Sequence, residues 1–263
     1  MNINHICFPN LKIGGPAVAS IASGYREEWV DGLFNVLGDV KPDFFSWHIY
    51  TNVIEEEQKL IRDVRALMDR YGLSECESIL NEWNYVKGWG GDEWVYTLKM
   101  EKSLKGASFI AATMLMSQNE PLDMLMYYDA RPCGMNGMFN TDMVNEVLKG
   151  YYPFYMFNKL YKAGTAVKVA REEGSPLWLA AAKGEEQNTM VAYYDDDDSA
   201  PARDVKVTFQ NVENKNGVKL EYYLLDEEHD CVLVREEIFT ATEFSTYVKM
   251  TNFSTYLFKI VAL

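Results

Sequence analysis

Between Leu11 and Gly164 the hydrophobic pattern switches four times from a short apolar run to a helical period, and nothing else in the sequence constrains the fold as strongly. "LKIGGP" (11–16) reads as a strand running into a glycine turn. "REEWVDGLFNVLGDV" (26–40) then spaces Trp29, Val30, Leu33, Phe34 and Leu37 at helical intervals. "FFSWHIYT" (44–51) has the aromatic, β-rich composition of a buried strand. "EEEQKLIRDVRALMDRYG" (55–72) is the clearest helix, with Leu60, Ile61, Val64, Leu67, Met68 and Tyr71 on one face and Gly72 ending it. "SILNEWNY" (78–85) is the third strand. Residues 93–119 are helical, with a second half so apolar that it must be buried. "MLMYYDAR" (124–131) is the fourth strand, and a helix through "VLKGYYPFYMFNKLYKAG", interrupted at Pro153, closes the series. Such alternation predicts a parallel α/β sheet with right-handed crossovers.

After Gly164 the texture changes. "LWLAAAK", "TMVAYYD", "DVKVTFQN", "KLEYYLLD", "CVLVREEIF" and "STYLFKIVAL" are short strands separated by Gly, Asn and Asp turns, the pattern of an antiparallel β-sandwich. The expectation is therefore α/β plus all-β, with domains at 1–164 and 165–263. The acidic run Asp195–Asp198 reads as a solvated hairpin turn rather than a calcium site, because consecutive aspartates cannot all face one ion.

With 48% hydrophobic residues the chain can bury a full core. Its net charge of −14 argues against nucleic acid or an anionic membrane as partner. Cys7, Cys76, Cys133 and Cys231 have no metal-ligand spacing and read as free thiols of a reducing compartment. No metal or other cofactor is called for. "MNINHICFPN" shows no basic or apolar leader, so a cytoplasmic location is expected.

In a parallel α/β assembly function collects at the carboxyl ends of the strands. Those ends carry Gly14 and Gly15; Trp47, His48 and Tyr50; Asn81, Glu82, Trp83 and Asn84; then Tyr127, Tyr128, Asp129 and Arg131. Carboxylate, imidazole, amide, phenol, guanidinium and indole on one face suit a sugar, whose apolar side an indole covers while polar groups bind its hydroxyls. Each also has a plainer reading. Glu82 could be a solvated loop acid, His48 a satisfied core histidine, and Asp129 with Arg131 a salt bridge. Trp89, Trp94 and the methionines from Met114 to Met126 read as packing. His48 and Glu82 end adjacent strands and are expected on one open face.

"LKIGGPA", "DFFSWHIY", "ILNEWNY" and "YYDARP", in that order, resemble the second half of glycoside hydrolase family 39, the β-xylosidases and α-L-iduronidases. The resemblance implies about four βα units, equivalent to strands 5–8 of a (β/α)8 barrel, followed by a β-sandwich. It implies Glu82 as the nucleophile of a retaining glycosidase and His48 as a substrate contact, with Tyr50 beside it. The family's acid/base stands in an Asn-Glu-Pro upstream of the segment like "LKIGGPA". The Asn119-Glu120-Pro121 of this chain lies elsewhere and reads as a coincidence, so the acid/base is expected outside this sequence. The candidate set is then Glu82 as catalytic residue, with His48, Tyr50, Trp47, Asn81, Trp83, Asn84, Tyr128, Asp129 and Arg131 as substrate-binding residues. A glycosidase acting on a xyloside-type substrate is the primary reading. A catalytically impaired carbohydrate-binding half-barrel is the alternative. Phe45, Trp47, Ile79 and Met126 are expected towards a barrel interior that this chain cannot fill, and open edge strands predict a homodimer or higher homo-oligomer.

Overall fold

The structure is a computed structural model and describes residues 10–19, 21, 24–143, 146–213 and 216–263; Cys7 and the rest of the opening segment lie outside them. The chain forms two units. One comprises Met1–Val86 with Ser117–Asp129, the other Lys87–Met116 with Ala130–Leu263.

The first unit is built on a parallel sheet of β1 (Gly14–Ala19), β2 (Phe44–Thr51), β3 (Glu77–Tyr85) and β4 (Met124–Leu125), in the order β1-β2-β3-β4. Helix α1 (Gly24–Leu37) follows β1, and α2 (Ile54–Arg70) follows β2. Val30 and Phe34 bury one face of α1, while Leu60, Ile61, Val64, Leu67 and Met68 bury the predicted face of α2. Beyond the end of α2, Gly72 takes a left-handed φ of 67°, which glycine adopts without a Cβ clash. β1 begins three residues later than "LKIGGP" suggested, and its glycines lie in the strand rather than in a turn. A Cβ on Gly14 would sit 2.1 Å from the Phe44 carbonyl oxygen, so only glycine allows β1 to approach β2 so closely.

The faces of β2 also differ from expectation. Phe45 packs with its ring tilted against Phe34 of α1, centroids 5.6 Å apart, and Trp47 on the same face is fully buried, with its Nε1 donating to Ser78 Oγ at 3.1 Å. Both side chains therefore serve the sheet–helix core rather than a barrel interior. A bulge then interrupts β3. Trp47 registers with Leu80 but His48 registers with Glu82, leaving Asn81 as the extra residue. The same slip shows on the other side, where Met126 N–H donates to Leu80 O and Tyr128 N–H to Trp83 O. Two residues of one strand thus span three of the other, and this is why β4 stops at Leu125 rather than running to Arg131.

The second unit contains α3 (Gly91–Met100), α4 (Leu104–Ser117), α5 (Tyr151–Ala163) and eight antiparallel strands. The single helix expected over 93–119 is broken at Glu101–Ser103. Gly106 lets the two segments meet tightly, because a Cβ there would lie 2.5 Å from Met100 O. Pro153 does not interrupt its helix: α5 starts at Tyr151, so the proline falls in the first turn, where no intrahelical donor is lost.

A six-stranded sheet runs in the order β10 (Asp230–Phe239), β9 (Val218–Leu225), β12 (Thr255–Ala262), β7 (Gln187–Tyr193), β6 (Leu177–Lys183), β5 (Thr165–Val167). β8 (Arg203–Phe209) pairs with β11 (Phe244–Met250). Tyr222, Phe258, Phe209, Phe244, Tyr256 and Val248 form their common core, with Tyr222 meeting Phe258 edge-on at 5.4 Å. β11 was missed in the sequence, although Phe244, Thr246, Val248 and Met250 alternate inward as a half-buried strand must.

The acidic run is not merely solvated. The Lys105 ammonium, 2% exposed, reaches Asp198 Oδ1 at 2.8 Å, Asp196 Oδ1 at 2.9 Å and Tyr96 O–H at 3.0 Å. Burial pulls its pKa down, but the hydrogen bonds it donates to Asp198, Asp196 and Tyr96 outweigh this and raise it overall, so the lysine supplies the cation that the aspartates face.

Candidate active site at the strand ends

Within the first unit, the bulge decides which way Glu82 points. Ser78 and Leu80, the register partners of Phe45 and Trp47, lie on the helix-facing side of β3. Strict alternation would carry Glu82 and Asn84 into that core. The extra residue at Asn81 inverts the phase: Trp83 and Tyr85 become the buried residues, 1% and 0% exposed, and Glu82 turns to the side of His48 and Tyr50.

There Glu82 Oε2 accepts a hydrogen bond from the Tyr50 hydroxyl at 2.7 Å and lies 3.3 Å from His48 Nδ1. Among the described residues Oε1 takes no hydrogen bond, and the side chain is 31% exposed. Burial, followed by the hydrogen bond to Glu82, pushes the Tyr50 phenol far above its ordinary range, with Tyr128 and Asp129 adding to the effect. Tyr50 is therefore a neutral donor fixed on one carboxylate oxygen. His48 Nε2 and Asn81 Oδ1 are buried with no hydrogen-bond partner among the described residues.

Asn84 is 2% exposed and ties the ends of two strands together. Its Nδ2 donates to Tyr128 O at 2.9 Å and to the Tyr127 hydroxyl at 3.3 Å, while its Oδ1 accepts from Tyr85 N–H at 2.8 Å. It positions the backbone around Tyr128 and Asp129, whose peptide bond is cis.

The expected indole faces are not available. Trp47 is enclosed as described, and Trp83 meets Tyr127 edge-on at 5.3 Å within the core. The exposed tryptophans are instead Trp29 of α1, at 49%, and Trp89 of the second unit, expected to pack, at 61%. Arg131 is also exposed and belongs to that unit, so the cluster consists of His48, Tyr50, Glu82, Asn84, Tyr128 and Asp129. Tyr127 is a partner that the candidate set omitted. Its sign was present in the sequence, as a phenol two residues from Asp129 in a strand end already rich in polar rings.

Glu120 occupies a different environment. Arg62 Nε and Nη2 donate to its two oxygens at 2.6 and 2.7 Å, and Gln58 adds a third hydrogen bond at 2.6 Å. It precedes β4, whereas Glu82 lies near the carboxyl end of β3. In a parallel sheet these are opposite ends, so Glu120 fastens α2 and cannot meet a substrate at Glu82.

No protein-family model and no curated protein matches this sequence. Solved structures do. A glucosidase from Croceicoccus marinus superposes with a TM-score of 0.77 at 16% identity, over 98% of this chain and 62% of its own. A glycoside hydrolase family 39 enzyme from Xanthomonas axonopodis gives 0.70 at 13% identity, over 98% and 62%. The chain has a glycoside hydrolase-like fold. A family 30 endoxylanase from Clostridium papyrosolvens follows at 0.62 and 13%, over 97% and 57%. This glycoside hydrolase-like chain thus spans less than two thirds of the length of these neighbours. Among the described residues no cluster of three metal-ligating side chains occurs, and no helix is long and apolar enough to cross a membrane.

Proposed function

We propose that the protein supplies the nucleophile half of a retaining glycosidase site, with Glu82 attacking the anomeric carbon of a xyloside or related glycoside. The supporting observation is the asymmetry of Glu82: Oε2 is held by Tyr50 while Oε1 is unengaged and within reach of solvent. In such a reaction Oε1 forms a bond to the anomeric carbon as the bond to the leaving oxygen breaks. That oxygen takes a proton, and water later releases the sugar and restores the carboxylate. His48 would bind a substrate hydroxyl, and Asn84 would hold Tyr128 and Asp129 at the rim.

The retaining reaction also needs a second carboxyl group about 5 Å from the first. We assign it to the missing half of a (β/α)8 barrel, supplied by further chain or by a partner subunit. β1 and β4 are the outer strands of the described sheet, and outer strands expose unpaired backbone groups. Light scattering at micromolar concentration should accordingly report an oligomer, and a monomer would exclude the partner-subunit route.

Aryl glycosides with good leaving groups need little protonation, so the chain by itself should release phenolate slowly from at least one aryl xyloside, glucoside or arabinoside. Glu82→Gln should abolish that release. A mutant as fast as its parent would remove Glu82 from the chemistry.

A further inference from the structure

The most exposed tryptophan described has no role in the cluster around Glu82. Trp89 is 61% exposed and lies nearly parallel to Trp94, with ring centroids 5.4 Å apart and planes inclined by 19°. The pair occurs where the chain "KGWGGDEW" enters α3, and both residues belong to the second unit. Its collar is open: a Cβ on Gly90 or Gly91 would meet nothing within 4 Å. On the other flank Glu93 folds back over the loop, since a Cβ on Gly88 would lie 2.2 Å from its Oε2. A carboxylate is thereby held against Gly88, the residue before Trp89, as a hydrogen-bond acceptor.

We propose that the Trp89–Trp94 step is a stacking platform for a pyranose unit of a polysaccharide. An indole that folding leaves this exposed keeps a flat apolar face in water, and a ligand with one flat apolar face and a polar edge can cover it. Three observations select a neutral sugar over other flat ligands. Nucleobases stack equally well, but the adjoining Asp92 and Glu93 and a net charge of −14 repel their phosphates. A protein-binding hot spot is ringed by side chains that exclude water, whereas this collar is glycine and acid. Of the other residues in 87–100, Val95 alone is an exposed large apolar side chain. The neutral ligand class rests on the glycosidase reading above, and it narrows that reading to polymeric glycans.

Native gels cast with soluble xylan, xyloglucan or hydroxyethylcellulose test the platform. At least one polymer should retard the wild-type protein. Trp89→Ala should weaken that retardation about tenfold or more, and Trp89→Phe, which keeps a smaller ring, should weaken it less. Glu82→Gln should be retarded like the wild type, so binding and catalysis are read separately and either proposal can fail alone. Near-ultraviolet circular dichroism and the melting temperature check that each variant is folded. The proposal is overturned if no polymer retards the wild type, or if Trp89→Ala is retarded equally. It is also overturned if Trp89→Ala abolishes self-association without any polymer binding, which would make the pair a protein contact.

Discussion

The two units differ in what surrounds their buried polar groups. In the second unit the Tyr222 hydroxyl meets both Glu237 and Thr246, and Lys105 is encircled by Asp196, Asp198 and Tyr96, while Asn188 Oδ1 and Thr255 Oγ1 are buried without hydrogen-bond partners among the described residues. In the parallel unit, His48 Nε2 and Asn81 Oδ1 are buried without partners among the described residues, beside a carboxylate with one oxygen unengaged. A polar group left unsatisfied in the folded chain costs stability, and such cost is tolerated where a ligand relieves it. What sets the parallel unit apart is that its unsatisfied atoms lie beside a part-exposed carboxylate with one oxygen unengaged, an arrangement that a ligand can complete.

The sharpest contrast pairs one substitution from each. Glu82→Gln should lower the rate on an aryl glycoside by roughly ten-thousandfold or more while leaving the melting temperature unchanged, because it removes only the ionisable nucleophile. Phe258→Ala should do the reverse. It opens a cavity among Tyr222, Phe209 and Tyr256 and should cost about 3–5 kcal/mol, measured by urea unfolding. If Phe258→Ala were neutral in stability, the division of roles would collapse.

Tyr50→Phe should act between these extremes. It deletes the hydrogen bond on Glu82 Oε2 and should reduce kcat by about ten- to a hundredfold with little change in unfolding free energy. A smaller effect is expected from Lys105→Met, about 2 kcal/mol of lost stability, since the aspartates it leaves behind can still reach water.

The alkaline limit should come from both units. Burial raises the Tyr222 and Tyr223 phenols from 10.0 to about 12 and the Cys231 and Cys76 thiols from 9.0 to about 11, and it raises the Tyr50 phenol further still. Groups raised in the folded state contribute stability that is full below their unfolded values and is lost as pH climbs through the folded ones. The melting temperature should therefore be level up to about pH 9 and fall between pH 9 and 12, and Tyr222→Phe should soften the decline.

The elements were legible in the sequence where local period and burial agree, as in α2 and most of the sandwich strands. They were not legible where a contact distant in the chain decides. Gly14 reads as a turn until Phe44 is seen against it, and the run Asp195–Asp198 reads as a solvated hairpin turn until Lys105 arrives from far along the chain. Glu82, His48 and Tyr50 could be chosen from residue type and strand position. The fate of the tryptophans could not, because Trp47 and Trp83 lie on the helix-facing side and only the bulge shows this. The residues of β3 give no clue to it: Ile79, Trp83 and Tyr85 are all odd, and the apolar Leu80 beside Ile79 leaves the phase undecided, so the slip within the strand is hidden.

That slip frees one position from the alternation that binds its neighbours. Asn81 contributes the extra step, so exchanging it for another residue keeps the count and should leave Glu82 facing outward. Deleting it would place Leu80 and Glu82 on consecutive register partners, Trp47 and His48, so unbroken alternation would keep the carboxylate outward and Trp83 buried. For evolution the site is thus tolerant of both exchange and loss of this one residue, and for engineering the bulge is a place where new side chains can be set without turning Glu82.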